Sequence, residues 1–341
     1  MSEPGKSARP ALAFVSWGAV AGRSAEIAQE IGGEARCFYP PGSSRRPPVL
    51  VRYMLSALRT GGYLLRRRPR VVIVTNPPII AGLVTYGYAL CIGARLVLDT
   101  HPGGFGAQGD RMAARLQGPH RWLARRAGLC LVTDDAWRLE LEAWGAPGLV
   151  VHEAPGDWRH TQPERHPRLK ILYVGRFAAD EPAWAVIGAA ALVPQCDVIV
   201  TGDLGSCPPE LLRGAPPNVT FVGFLDADDY RAVVQDADAV LTLTTEPASV
   251  MRAGYEAVYA GRPLLLSDWP INRELFPYAA HVANTIAGVA SGLREVDAHY
   301  DGYMATTGAA LDLQGARWQG QREKLQMLLA RQLPAPLELP G

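Results

Sequence analysis

Val71-Val72-Ile73-Val74 sets a β-branched apolar side chain at four consecutive positions. A strand with one wet face alternates in polarity, so an unbroken run belongs in a sheet covered on both faces, the habit of parallel sheets. Other short β-type runs fall at 11–17, 35–39, 95–99, 129–133 and 149–152, and between them the apolar spacing turns helical. Helices are expected from Ser24, over 49–65, after Asn76-Pro77-Pro78 with Asn76 as cap, and over 111–127 and 136–144. Strand and helix in turn predict a doubly wound α/β domain for the first half.

After a polar, proline-rich stretch the pattern restarts, with strands expected over 170–174, 197–201, 219–222, 239–243 and 263–267 and helices over 183–192, 228–237 and 249–260. A chain of 341 residues has room for two domains of ordinary size. The expected organisation is a domain over 1–155, a linker over 156–168, a second domain over 169–310, a helix over 311–333 and a loose tail over 334–341. Trp318, Leu325, Leu328 and Leu329 are the anchors of that last helix.

With 48% hydrophobic and 20% charged residues the chain is globular rather than disordered. Its net charge of +1 conceals an asymmetry: 19 basic against 10 acidic residues in 1–150, and 15 against 23 in 151–341, so the halves carry +9 and −8. The first half is therefore the one suited to an anionic partner. Cys37, Cys91, Cys130, Cys196 and Cys207 are odd in number and scattered, which indicates neither a disulfide framework nor a zinc site. A cytoplasmic protein is expected, with a first apolar run, Ala11 to Ser16, too short for a signal-peptide core. Ile79 to Ala94 is uncharged but falls short of the roughly 20 residues that span a bilayer, so a core helix is expected there.

Arg45, Arg52, Arg59 and Arg66 recur every seven residues, which puts Arg52, Arg59 and Arg66 on one helix face opposite Leu50, Met54, Leu58 and Leu65. Two readings stay open: a solvated surface helix, weakened by Gly61-Gly62, or a basic strip resting on anionic headgroups at the inner face of the cell membrane. No nucleic-acid partner is expected.

Open parallel sheets bind ligands beyond the carboxyl ends of their strands. In the first half those ends carry the turn from Gly18 to Gly22, then Asp99-Thr100-His101-Pro102-Gly103-Gly104. The first turn lacks both the P-loop and the dinucleotide pattern, yet free N–H groups at a helix start suit a ligand as well as a plain turn does. His101 is either structural or a catalytic or binding group. In the second half Gly175-Arg176 follows a strand, where a guanidinium fork could grip a diphosphate or make a surface ion pair. Glu256, among apolar helix residues, needs a partner if buried, and ribose hydroxyls suit it. Asp226-Ala227-Asp228-Asp229 reads as a helix cap in preference to a metal site, so no metal is expected.

Tyr173-Val174-Gly175-Arg176, Val200-Thr201-Gly202-Asp203, Asn218 to Gly223, Ala237-Asp238-Ala239-Val240 and Tyr255-Glu256-Ala257 with Gly261, Pro263 and Ser267-Asp268 form a set that resembles GT-B glycosyltransferases, most closely the retaining family 4. The set covers most of 169–276; the first half adds Leu98-Asp99 and His101. The resemblance implies two doubly wound Rossmann-like domains facing across a cleft, with the last helix crossing back to the first. It also implies metal-independent, cofactor-free transfer of a sugar from a nucleotide-diphosphate sugar to a glycan, lipid-linked or small-molecule acceptor.

By matched positions, Arg176 beside Gly175 would hold the diphosphate, the backbone of Ser249, Val250 and Met251 the phosphates, and Glu256 the ribose. Gly202 would belong to the same donor site, and Gly223 and Phe224 would lie near the base. His101 would face the transferred sugar, with Gly18, Gly22, Asp99, Gly103 and Gly104 on the acceptor side. Two positions depart from the family. The acid that usually touches the donor sugar is replaced by Ala248, leaving Glu246 as the nearest candidate, and no basic residue follows between Phe177 and Trp184. These departures keep two alternatives open, a scaffold or partner protein without turnover and a nucleotide-sugar epimerase.

Overall fold

The computed structural model describes residues 10–18, 22–39, 48–106, 111–159 and 164–332, without the side chains of 111–114 and 331–332. It forms two compact units, one of 1–154 with 318–341 and the other of 155–317.

In the first unit the chain runs β1 (Leu12–Ser16), α1 (Gly22–Glu30), β2 (Glu34–Cys37), α2 (Val49–Arg67), β3 (Val71–Asn76) and α3 (Ile79–Ile92). It continues through β4 (Arg95–Thr100), α4 (Arg111–Ala124), β5 (Leu129–Val132), α5 (Asp135–Ala143) and β6 (Gly148–Val150). All six strands are parallel, in the order β2-β1-β3-β4-β5-β6, so the order reverses between β1 and β3. Val71 to Val74 are at most 1% exposed, because both faces of the sheet are covered. Val72, Val74, Leu98 and Val132 pack on one face. Phe14, Ile73 and Leu131 pack on the other with Ile27 of α1 and with Trp318, Leu325 and Leu329 near the chain's end. Each such side chain contributes about 1.5–3 kcal/mol of burial.

Three local expectations change. Asn76 does not cap α3, which begins three residues later with Pro78 at its cap and no side-chain cap bond. The two prolines carry the chain on before it turns, and the Asn76 amide reaches toward Thr100 Oγ1 instead, at 3.5 Å. Gly61-Gly62 does not interrupt α2, which runs to Arg67 and ends on Arg68 in the left-handed region. The face of α2 turned inward is Ser56, Thr60 and Leu64, whereas Leu50, Met54, Leu58 and Leu65 are exposed. The inward hydroxyls are satisfied, Ser56 donating to Phe38 O and Thr60 accepting from Trp17 Nε1. Arg52 is half-buried, with Nη1 donating to Tyr39 OH at 2.9 Å, and Arg45 lies outside the described residues.

The second unit holds β7 (Lys170–Tyr173), α6 (Ala183–Leu192), β8 (Asp197–Thr201), α7 (Pro209–Arg213), β9 (Val219–Gly223), α8 (Ala227–Asp236), β10 (Ala239–Thr242) and α9 (Arg252–Tyr259). It ends with β11 (Leu264–Ser267), α10 (Pro270–Leu275), β12 (Ala280–Val282), α11 (Ile286–Ala298) and the start of α12 (Tyr300–Gln332). Its parallel sheet has the order β12-β11-β10-β7-β8-β9, which reverses between β7 and β10. The fully buried carboxylate of Asp238 accepts the main-chain N–H groups of His166 and Lys170, at 3.1 and 2.7 Å, and so fixes the stretch leading into β7. One helix, α12, therefore begins at Tyr300 and serves both units, its residues from Trp318 onward belonging to the first.

Candidate functional site

In the second unit the strand order reverses between β7 and β10, which opens the crevice where such sheets take ligands. The loop after β7 is shaped by Glu181, whose carboxylate is 1% exposed. It accepts the main-chain N–H groups of Arg176 and Ala178, and Arg176 Nε stands 3.4 Å away. The Arg176 guanidinium itself projects outward, 78% exposed. Gly202, after β8, has φ +127 and sits so close that a Cβ would lie 2.7 Å from Gly175 O and 2.8 Å from the Phe177 ring. Its N–H bonds Gly223 O at 3.0 Å, which ties the ends of β7, β8 and β9 into one rim. Phe224 follows on that rim, 69% exposed.

Across the crevice the loop after β10 is stapled to the loop after β7. Thr245 N donates to Asp180 O at 2.7 Å and Thr244 Oγ1 to Asp180 Oδ2 at 3.1 Å. Thr244 Oγ1 also accepts the N–H of Glu246, so Asp180 and Glu246 flank one buried hydroxyl. Ser249, Val250 and Met251 remain in the loop, because α9 starts at Arg252, later than the spacing suggested. Met251 is its cap residue and provides no side-chain hydrogen bond, so the helix start is not closed by its own cap.

Glu256 is 8% exposed. Its partners lie within the unit: Arg252 Nε donates to Oε1 at 2.7 Å and Tyr230 OH, from α8, to Oε2 at 2.6 Å. An ionised carboxylate offers about four lone-pair sites, so these two bonds leave acceptor capacity for a ligand hydroxyl. Asp226 Oδ1 accepts the N–H groups of Asp228 and Asp229, both at 3.0 Å, as the cap of α8.

In the first unit the ends of β4 and β6 converge on Arg23, in the first turn of α1. Its Nη2 donates to Asp99 Oδ1 at 3.0 Å and to Val151 O at 2.8 Å, and Nη1 to Glu153 Oε1 at 2.9 Å. Burial disfavours the charge on Asp99, yet the Arg23 guanidinium, then the hydrogen bond and charge of His101, outweigh it and hold the carboxyl far below its usual range. Burial likewise works against the Arg23 charge, and Asp99 and Glu153 raise its pKa above the ordinary value. His101 Nε2 lies 3.4 Å from Asp99 Oδ2 with 38% of its side chain exposed.

Asp99 is 1% exposed, so its carboxylate presents almost no surface of its own and is taken up by Arg23 and His101. Gly103 and Gly104 lie in the tight turn Pro102–Phe105, and a Cβ on Gly104 would meet Thr100 Cγ2 at 2.8 Å. Gly22 starts the helix that delivers Arg23, while Gly18 bonds Ser16 Oγ and accepts the Cys37 thiol.

Sequence reasoning missed Arg23, Glu153, Asp180, Glu181 and Tyr230. One signal was visible: a cation in the first turn of a helix opposes the positive end of the dipole, so Arg23 needed buried acids to hold it there. The recess lined by Val258, Arg262, Phe276, Tyr303 and Gln314 includes none of the expected site residues.

No protein-family model and no curated protein matches this sequence. Solved structures do. Alr3699/HepE from Anabaena, in complex with UDP and glucose, superposes with TM-score 0.70 at 14% identity, over 94% of this chain and 99% of that one. Sucrose-phosphate synthase from Thermosynechococcus elongatus gives TM-score 0.71 at 14% identity, over 94% and 98%. A glycosyltransferase from Rickettsia africae gives 0.63 at 12%, over 95% and 99%. The likeness shows the fold: two parallel six-stranded, doubly wound sheets of the GT-B type.

Proposed function

We propose that this protein moves a sugar from a nucleotide-diphosphate sugar to an acceptor hydroxyl, without a metal and with retention of configuration, in the manner of family 4 transferases. The observation that carries the reading is the crevice of the second unit. There the exposed Arg176 guanidinium, the α9 start without a side-chain cap and the buried Glu256 lie on the rim formed by adjacent strand ends and α9. A guanidinium fork and helix N–H groups suit a diphosphate, a carboxylate suits ribose hydroxyls, and Phe224 offers an exposed ring to a base. The complexes of HepE with UDP and with UDP-glucose support a donor of this class.

In this reading the bond from the anomeric carbon to phosphate breaks and its electron pair leaves on the diphosphate, whose charge Arg176 and the α9 amides stabilise. The acceptor oxygen bonds the anomeric carbon from the same face and passes its proton to the departing phosphate oxygen, which carries the electron pair of the broken bond. Glu246 is the acid nearest in sequence to Ala248, where the family places its sugar-touching carboxylate, and its N–H and the Asp180 carboxylate share the Thr244 hydroxyl.

A second reading, a nucleotide-binding partner without turnover, is favoured by Glu181, a buried acid in the stretch where a second cation was expected. Incubation with labelled UDP-, GDP- and ADP-sugars, alone and with candidate acceptors, tests both. Transfer, or slow hydrolysis of one donor, supports the enzyme. Nucleotide binding by calorimetry with neither transfer nor hydrolysis supports the partner, and absence of binding overturns both.

A further inference from the structure

Exposed large apolar side chains are concentrated on two neighbouring helices of the first unit. Leu50, Met54, Leu58 and Leu65 of α2 are 69, 58, 72 and 57% exposed, and Leu83 and Leu90 of α3 are 41 and 67% exposed. Scattered exposed leucines are ordinary, but a contiguous set marks an interaction surface. At about 100° per residue the four α2 positions fall within an arc of about 80°, and Arg59 and Arg66 flank it about 80–100° further round. A helix of a water-soluble domain turns its apolar stripe inward. Here the inward face holds Leu64 together with Ser56 and Thr60, each hydroxyl hydrogen-bonded within the unit, and a second apolar stripe faces out. That outward stripe is unsuited to water and suited to hydrocarbon.

Charge identifies the occupant. From Ala35 through Leu98 the sequence has ten arginines and no aspartate or glutamate. Arg59, Arg66, Arg70 and Arg95 are exposed. Beside α3, Tyr86 meets the Trp122 ring of α4 edge-on at 5.4 Å, with Trp122 41% exposed and the Arg126 guanidinium 4.1 Å from its ring centroid. Tryptophan with arginine suits the headgroup level of a bilayer. A second copy of the chain fits poorly, since a two-fold interface would lay this basic surface against itself. No helix among the described residues is long and apolar enough to cross a membrane.

We propose that the α2–α3 face seats the first unit on an anionic phospholipid bilayer, its leucines in the acyl boundary and its arginines on the headgroups. This inference is independent of the donor reading.

The test is sedimentation of the full chain with vesicles of phosphatidylcholine, with and without phosphatidylglycerol, at low and high salt. Expected are binding to the phosphatidylglycerol vesicles, at least tenfold weaker binding to phosphatidylcholine alone, and weakening with salt. Arg59→Gln with Arg66→Gln should lower the partition coefficient roughly thirtyfold, and Met54→Asp with Leu58→Asp more than tenfold. Both variants should keep the wild-type thermal melt, because the changed side chains are exposed. Leu139→Asp, at an exposed leucine of α5, should bind as wild type. Binding that is absent, or equal in all variants, overturns the proposal. So does a dimer, seen by ultracentrifugation without lipid, that Leu58→Asp dissociates.

Discussion

Arg23 and Asp99 grip each other at the carboxyl end of β4, inside the first sheet, Nη2 to Oδ1 at 3.0 Å, with 7% and 2% of their side chains exposed. The pair stands behind His101, so the imidazole is aimed by a carboxylate that is itself aimed by a guanidinium. Removing the cation leaves Asp99 and Glu153 buried with like charge. Arg23→Met is expected to lower stability by about 3–5 kcal/mol, measured by urea denaturation. Arg23→Met combined with Asp99→Asn should recover part of that loss. Arg23→Lys should not restore the wild type, since an ammonium lacks the fork that spans Asp99, Glu153 and Val151 O.

Glu256 separates a ribose ligand from a purely internal acid. If it binds ribose, Glu256→Ala should weaken nucleotide binding by roughly tenfold or more, read by calorimetry with UDP and GDP. Tyr230→Phe, which releases one oxygen of the same carboxylate, should change the affinity by less than about fivefold. Unchanged affinity in Glu256→Ala would confine the residue to its bonds with Tyr230 and Arg252.

Two glycines with positive φ make a matched pair of tests. At Gly32, φ +73, a methyl group meets nothing within 4 Å, so Gly32→Ala should cost about 1–2 kcal/mol from the backbone alone. At Gly202 the added carbon also collides with Gly175 O and the Phe177 ring. Gly202→Ala should therefore be the more destabilising of the two, and it alone should also weaken nucleotide binding, because the Arg176 loop must shift.

His120 is 2% exposed, and burial pushes its imidazole down to about 4. Above an ordinary value near 6.5 the ring is neutral in folded and unfolded chains alike, so its full contribution to stability is present. As pH falls from about 6.5 to about 4 only the unfolded chain gains the proton, and stability should drop by up to about 3 kcal/mol. His281 is shifted in the same direction, so the His120→Gln variant, compared with wild type by urea denaturation at several pH values, isolates this residue. The variant should show the shallower dependence.

The sheets were legible because their strands need both faces buried: Val71 to Val74 and Leu264 to Leu266 admit no wet side. The edge was not. β12 is Ala280-His281-Val282, too short and too polar at its centre to form an apolar run, and the glycines at 302 and 308 obscured the early turns of α12. In α2 the periodicity was plain, but its sense depends on hydroxyls satisfied by Trp17 and Phe38, which no local pattern encodes.

For the site, topology placed the strand ends and so brought Gly175, Arg176, Gly202 and Gly223 to one rim. The partners were hidden because they come from afar: Glu153 is 130 positions from Arg23, and Tyr230 is 26 from Glu256.

The last helix also imposes an order on biosynthesis. Trp318, Leu325 and Leu329 complete an apolar layer with Phe14, Ile27 and Ile73, yet the whole of 155–317 is translated between the two sets. At a rate of 5–20 residues per second, those intervening residues take roughly 8–30 s to emerge from the ribosome. For that interval the nascent first unit carries an unfinished hydrophobic layer, and by its end the second has all its strands. The unit begun first is therefore the one finished last, and it is the one most in need of a chaperone during translation.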